Sequence, residues 1–277
     1  MGNRFVEDTA VRSVACGSGG DLDCYDGIID PGWFLARGPG GGYVAAIMLR
    51  ALAESVADAS RAPKAFTAHF TETAEPGPVR VEVTNVRTGK SVTTLEARML
   101  QDDRTIAAAI AAFSSSRPTL EFCDLRMPEA PPPEECPGTP PMPSTESLVD
   151  RYEFRWAIGD TPFSRSGVAR CGGWVRLTEP MRPDAALIAA YTDGWPHALF
   201  SRIGPDAGIV AVPTVDLTIH FRERMPLPSA RETDYCLAVF RTDVAADGFV
   251  EEDAQVWSRE GVLLAQSRSL GRIVLAG

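Results

Sequence analysis

The sequence predicts an α+β protein of two tandem domains, each a curved antiparallel sheet around one central helix. Three observations carry this expectation. Between positions 118 and 143, nine of the 22 prolines crowd into 26 residues, too many for a helix or a central strand. Residues 118–146 therefore read as a linker between a domain at 1–117 and a second at 147–277, each of ordinary single-domain size. The flanking pieces also share three blocks in the same order. Thr67-Ala68-His69-Phe70 returns as Thr218-Ile219-His220-Phe221 at an offset of 151, an alanine-rich helical run returns near 144, and EARMLQDDRTIAAAIAAF returns as DAQVWSREGVLLAQSRSL at 157. Three matches whose offsets grow only through loop insertions favour duplication. Finally, each piece shows strand-length segments divided by polar turns.

Taken in order, the first helix runs from Gly42 to about Val56 and is apolar on more than one narrow stripe, so it should be wrapped on most sides. Residues 78–87, 91–101 and 105–114 are strands, with hairpin turns at 89–90 and 102–104. The alanine-rich stretch 106–113 has helix-like composition, yet it follows a hairpin turn and reads as strand. In the second piece a helix is expected from Pro183 to about Ser201, with Asp184 complementing its dipole and a break after Gly194-Trp195 forced by Pro196. Along 212–221, Val215, Leu217, Ile219 and Phe221 face one way, and Thr214, Asp216, Thr218 and His220 the other. Strands 249–259 and 262–274 follow, flanked by turns at Asp247-Gly248 and Glu260-Gly261. His69 and His220, equivalent in the repeat, are expected to meet between the halves as structural histidines.

Composition excludes several function classes. The 277 residues carry 27 Lys+Arg against 37 Asp+Glu, a net charge of −10, which disfavours nucleic acid and anionic membranes as partners. Only Lys64 and Lys90 are lysines, so a Schiff-base mechanism has little material. Six scattered cysteines form no CxxC pair and no His-flanked zinc pattern, and read as reduced thiols. The start MGNRFVEDTAV has no apolar leader, so a cytoplasmic protein is expected. Gly40-Gly41-Gly42-Tyr43 is neither GxGxxG after a strand nor a phosphate loop, since no Lys-Ser/Thr follows. Ser114-Ser115-Ser116 lacks the GxSxG elbow of α/β-hydrolases.

Five blocks together carry a resemblance: GPGGGYVAAIMLRA (38–51), TAHFTETAEPGPV (67–79), AAYTDGW (189–195), VPTVDLTIHF (212–221) and EGVLLAQSRSLG (260–271). As a set the chain resembles acyl-CoA thioesterase II-type proteins of the double hot-dog architecture. The resemblance implies thioester hydrolysis in fatty acid metabolism, without a metal or other cofactor, by a water held between an Asp, a Thr and a Gln. Asp193 matches the Asp and Thr214 the Thr. The glutamine position falls on Ser269, a departure, because a hydroxyl on a short stem replaces a long amide with two donors and an acceptor. Gln266 is three residues away and on the opposite strand face.

Read from the residues alone, Asp193 in TDGW could equally break a helix, and Thr214 be an ordinary β-branched strand residue. The unpaired N–H groups of Gly41, Gly42 and Tyr43 at a helix start could polarise a thioester carbonyl or simply turn the chain. Trp33, Phe34, Trp195 and Phe200 are candidates for an acyl tunnel, and Arg37, Arg61, Lys64 and Arg222 for the CoA phosphates. The expected partner is acyl-CoA, and a homo-oligomer is expected because sheet edges pair readily. Two rival readings stand beside hydrolysis: a non-catalytic acyl-CoA or lipid-binding protein, suggested by Ser269, and an enoyl-CoA hydratase using Asp193 and His197 of DGWPH.

Overall fold

Apolar side chains alternating with polar ones along ten-residue segments need a sheet with one covered face, and the buried helices supply the cover. The computed structural model describes residues 2–16, 22–138 and 147–276, so positions 139–146 of the expected linker lie outside the described residues. The first half contributes β1 (Arg12–Val14), β2 (Leu22–Ile29), α1 (Gly41–Val56), β3 (Arg61–Phe70), β4 (Gly77–Thr88), β5 (Val92–Gln101) and β6 (Arg104–Ser115). The second contributes β7 (Tyr152–Gly159), β8 (Ala169–Leu177), α2 (Ala185–Tyr191), α3 (Leu199–Arg202), β9 (Thr214–Phe221), β10 (Cys236–Thr242), β11 (Phe249–Trp257) and β12 (Leu263–Arg272).

All these strands join one antiparallel sheet in the order β1-β2-β4-β5-β6-β3-β9-β12-β11-β10-β8-β7. Read outward from the β3–β9 seam, the halves repeat one strand order, which is the double hot-dog plan. The repeat is visible at the seam itself, where Thr67 and Thr218, 151 residues apart, face each other in register with hydroxyls 3.1 Å apart. His69 and His220 do not meet. They flank that centre, His69 opposite Asp216 and His220 opposite Ala65, both on the exposed face.

The alanine-rich segment is strand β6, with Ala107, Ala109, Ala111 and Phe113 buried and alternate residues less so. Asp102 and Asp103 both take left-handed φ values, 48° and 63°, closing the turn before it, a conformation a short polar side chain tolerates. Helix α1 is buried continuously from Gly42 to Leu49 and again at Ala51 and Leu52. Each fully buried Leu, Ile or Met there contributes on the order of 1.5–3 kcal/mol.

Helices α1 and α2 lie antiparallel: Gly42 packs against Ala190 at one end, and Arg50 donates to the Asp184 carboxylate at the other, 3.0 Å away. A Cβ on Gly42 would come within 2.7 Å of the Ala190 carbonyl oxygen, so glycine is required for this approach. The second helix is shorter than expected. Asp184 caps it, accepting the Leu187 N–H at 2.8 Å, but it ends at Tyr191, where Thr192 turns its hydroxyl back to the Ala189 carbonyl at 2.7 Å. The break therefore comes before Asp193, not after Trp195. Pro196 blocks its continuation, and only the short α3 resumes helical geometry.

The expectation of six reduced thiols fails at one pair: Cys16 and Cys24 form a disulfide between β1 and β2. Sequence spacing could not show that antiparallel pairing sets Cys24 opposite Val14 and brings Cys16 within bonding reach. Among the described residues, no helix is long and apolar enough to cross a membrane.

Candidate functional site

The early end of α2 leaves Asp193 between two helix termini, just past the C-terminus of its own helix and beside the N-terminus of α1. Gly40 offers α1 no side-chain cap, so the first N–H groups of that helix are open to an acceptor from elsewhere. Asp193 is that acceptor. The Gly42 N–H donates to its Oδ2 at 2.9 Å, and the Thr214 hydroxyl donates to its Oδ1 at 3.0 Å.

Alternation placed Thr214 on the face away from the core. A register shift between Thr214 and Asp216 on β9 undoes that parity and lets the hydroxyl reach Asp193. Burial raises the Asp193 carboxyl above its ordinary pKa, against opposing hydrogen bonds from Gly42, Thr214 and Gly41. It is thus a carboxylate held in place yet more basic than one in water.

The N–H groups expected to face a carbonyl are engaged within the protein. Gly42 donates to Asp193 at 2.9 Å, Gly41 lies beside the same carboxylate and lowers its pKa, and Tyr43 donates to the Gly40 carbonyl at 3.1 Å. The Tyr43 ring stacks on Trp33, 5.2 Å between centroids, and its hydroxyl donates to the Asp8 carbonyl at 2.8 Å, so the side chain belongs to the core.

Asp193 lines a cleft of about 350 Å³ between the halves. From the first half come Gly41, Val44, Phe70 and Ile106, and from the second Phe154, Trp156, Trp195, Phe200, Thr214 and Glu252. Of the expected tunnel aromatics, Trp195 and Phe200 line it, whereas Trp33 and Phe34 do not. Of the four candidate phosphate-binding cations, Arg37 lines the cleft. Arg61 is tied to Asp58 and Thr93, and Arg222 to Gln266.

Ser269 is buried on β12 in register with Leu217 on one side and Glu252 on the other, but it does not reach the cleft wall. Glu252 does. Only 6% exposed, it accepts the Ala198 N–H at 2.6 Å through Oε1, and burial raises its pKa well above the ordinary value. Sequence reasoning missed this residue. Its signal was the alternation along β11, where Val250, Ala254 and Val256 share the inward face and Glu252 is the one acid among them.

His197 lies 3.4 Å from Glu252. Its Nδ1 accepts the Leu199 N–H at 3.1 Å, which leaves the proton on Nε2, and burial lowers its pKa to about 4, so the imidazole is neutral. The Asp-His pairing that a hydratase would use is not formed: Asp193 bonds Gly42 and Thr214, and His197 bonds Leu199. Among the described residues, no three His, Cys, Asp or Glu side chains gather as a metal site.

Comparison with known proteins bears on this geometry. A family model for the acyl-CoA thioesterase C-terminal domain matches residues 129–273, and one for the acyl-CoA thioesterase N-terminal domain matches residues 29–114. No curated protein matches the sequence. Among solved structures, a conserved hot-dog protein of unknown function from Alicyclobacillus acidocaldarius is 25% identical, with full coverage of both chains and a TM-score of 0.84. The tesB protein of Mycobacterium avium subs paratuberculosis is 20% identical, covers 98% of each chain and has a TM-score of 0.75. An acyl-CoA thioesterase II from Mycobacterium marinum is 18% identical, covers 99% of each and has a TM-score of 0.75. The likeness to these last two is one of fold.

Proposed function

The chain belongs to the acyl-CoA thioesterase family, and from that premise we propose that it hydrolyses acyl-CoA thioesters to free acid and CoA with a water activated by Asp193. The observation that carries the reading is the Asp193 carboxylate, fixed by the Gly42 N–H and the Thr214 hydroxyl in the wall of a largely apolar cleft. Hydrolysis needs a base within hydrogen-bond reach of the attacking water and a pKa raised toward working pH. A cleft-lining carboxylate held from two sides, its pKa raised by burial, supports this reading.

In the proposed reaction the acyl group lies along the aromatic wall of Phe154, Trp156, Trp195 and Phe200, with CoA leaving the cleft past Arg37. The water oxygen bonds to the thioester carbon as Asp193 takes its proton. The resulting tetrahedral species collapses with cleavage of the C–S bond, and the thiolate takes the proton back from Asp193. Two oxygens of the acid product and the CoA thiol account for all atoms. The α1 N-terminus acts in this scheme by aiming Asp193. Association into a homo-oligomer is part of the proposal, since β1 and β7 end the sheet as edge strands.

The test is release of free CoA from short, long and aromatic acyl-CoAs, run beside Asp193→Ala. Turnover that disappears in the variant supports the reading. Turnover equal to that of the parent moves the chemistry away from Asp193, and stabilisation by acyl-CoA with no turnover in either protein supports a binding protein instead.

A further inference from the structure

Two buried carboxyl groups border the cleft, and the scheme above uses one. Glu252 projects from β11 beside Ser269 of β12. On the same face of β12, Ser267 bonds the Thr192 carbonyl at 3.5 Å, and Gly271 lies in register with Thr214, the Asp193 partner. Glu252 thus lines the same cleft as Asp193, from the strand beside β12. The Ser269 hydroxyl is too short to line the cleft, whereas the longer Glu252 side chain lines it. Meanwhile the Gly42 N–H already holds Asp193 and the Tyr43 N–H bonds the Gly40 carbonyl. The helix start is thus turned toward Asp193, and the site contains an acid with no assigned role.

We propose that Glu252 is a second catalytic residue, donating a hydrogen bond from its carboxyl to the thioester carbonyl oxygen while Asp193 activates water. The proposal rests on the thioesterase reading and deepens it. Oε1 accepts the Ala198 N–H, which fixes the carboxyl plane and leaves the second oxygen to carry the proton. The groups around it favour its protonated form. Asp193 from the α2–α3 loop and the chain neighbours Glu251 and Asp253 are acidic and oppose its ionisation, on top of its burial. His197, from the same loop, is neutral and brings no counter-charge. Cys171 of β8 is a buried thiol, its pKa raised by burial and by Glu252 itself. A pair of carboxyls whose surroundings hold one as base and the other as acid is a workable division of labour for acyl chemistry at neutral pH.

In the step, the C–O bond to water forms, the carbonyl π electrons move to oxygen, and the Glu252 O–H strengthens its hydrogen bond to that oxygen without transferring the proton. Collapse returns the electrons and expels the thiolate, so Glu252 ends as it began.

Glutamine keeps a donor at the same reach and cannot ionise, and alanine removes it. Glu252→Gln is therefore expected to retain turnover within about threefold and to lose the fall in rate at high pH that ionisation of Glu252 imposes on the parent. Glu252→Ala is expected to lose about a hundredfold or more, the usual effect of removing one such donor. A readout independent of turnover is the infrared carbonyl band of a bound acyl-CoA ketone in which a methylene replaces the sulfur. Its band should lie below its solution frequency in the parent and in Glu252→Gln, and return toward it in Glu252→Ala, with melting temperatures confirming folded proteins. An unchanged band in Glu252→Ala overturns the assignment, whatever the turnover. A Glu252-dependent shift without hydrolysis of any acyl-CoA keeps the donor role and removes the thioesterase reading, and failure of the ketone to bind overturns both.

Discussion

Counted from their helix starts, Leu49 of α1 stands where Asp193 stands in the second half, and by the strand offsets Pro63 stands for Thr214 and Leu95 for Glu252. The backbone device is the same in both places: β3 shifts register between Pro63 and Ala65 as β9 does between Thr214 and Asp216. The side chains are not. In the first half α1 runs on past buried Leu49 to Val56, and Leu95 is fully buried. In the second half the helix stops at Tyr191 and the freed chain turns a carboxylate toward the partner helix. At the other end of the helix pair, Asp184 caps its own helix and Arg50 bonds it, so that end is closed with charges already paired. The repeated scaffold fills this position with apolar packing in one half and opens it to the cleft in the other, where the helix is broken.

The largest expected effect is at the acid itself. Asp193→Asn keeps the shape and the acceptor for Gly42 but removes the base, and CoA release is expected to fall about a hundred- to ten-thousand-fold with the melting temperature little changed. Next is the close approach that seats it. Gly42→Ala pushes a methyl against the Ala190 backbone and is expected to cost about 1–3 kcal/mol of stability in a denaturant titration. Its counterpart, Ala186, carries that methyl already, so the penalty measures how asymmetric the helix pair is.

Thr214→Val removes one hydrogen bond to Asp193 and is expected to lower kcat/KM by up to about tenfold, for a bond worth roughly 1 kcal/mol. The sign of its pH effect is fixed: the base works ionised, its pKa is raised by burial and lowered by Thr214, so losing the hydroxyl moves the acid limb of the rate profile to higher pH. The smallest effect on turnover belongs to the closed end. Arg50→Met should leave turnover unchanged while costing about 1–3 kcal/mol of stability, because it removes hydrogen bonds to the mostly buried Asp184 carboxylate and to buried Thr9. A rate change there would show that the two ends are coupled.

Much of this was legible in the sequence. The repeated TAHF and TIHF motifs and the turn residues lead to two equivalent halves of antiparallel strands, though not to their joining in one sheet, and even the alanine-rich β6 follows from its place after a hairpin. Asp193 and Thr214 were found by resemblance, since neither is distinguishable from a helix breaker or a strand residue by type. Their contact depends on a bulge that simple alternation cannot anticipate, as the opposite facing expected for Thr214 shows. Ser269 does not reach the cleft wall; Glu252, which does, lies on the adjacent strand, and only strand register relates 252 to 269. The helix-start glycines were read as free donors because their acceptor comes from 151 residues away. The Cys16–Cys24 bridge was missed for the same reason, that pairing is a property of the folded sheet.

The proposed chemistry requires one site per chain, centred on Asp193 in the cleft between the halves, and none at the apolar first-half counterpart. Calorimetric titration of the protein with a non-hydrolysable acyl-CoA ketone counts the sites directly. The account predicts one ligand bound per chain; two equivalent ligands per chain would contradict it.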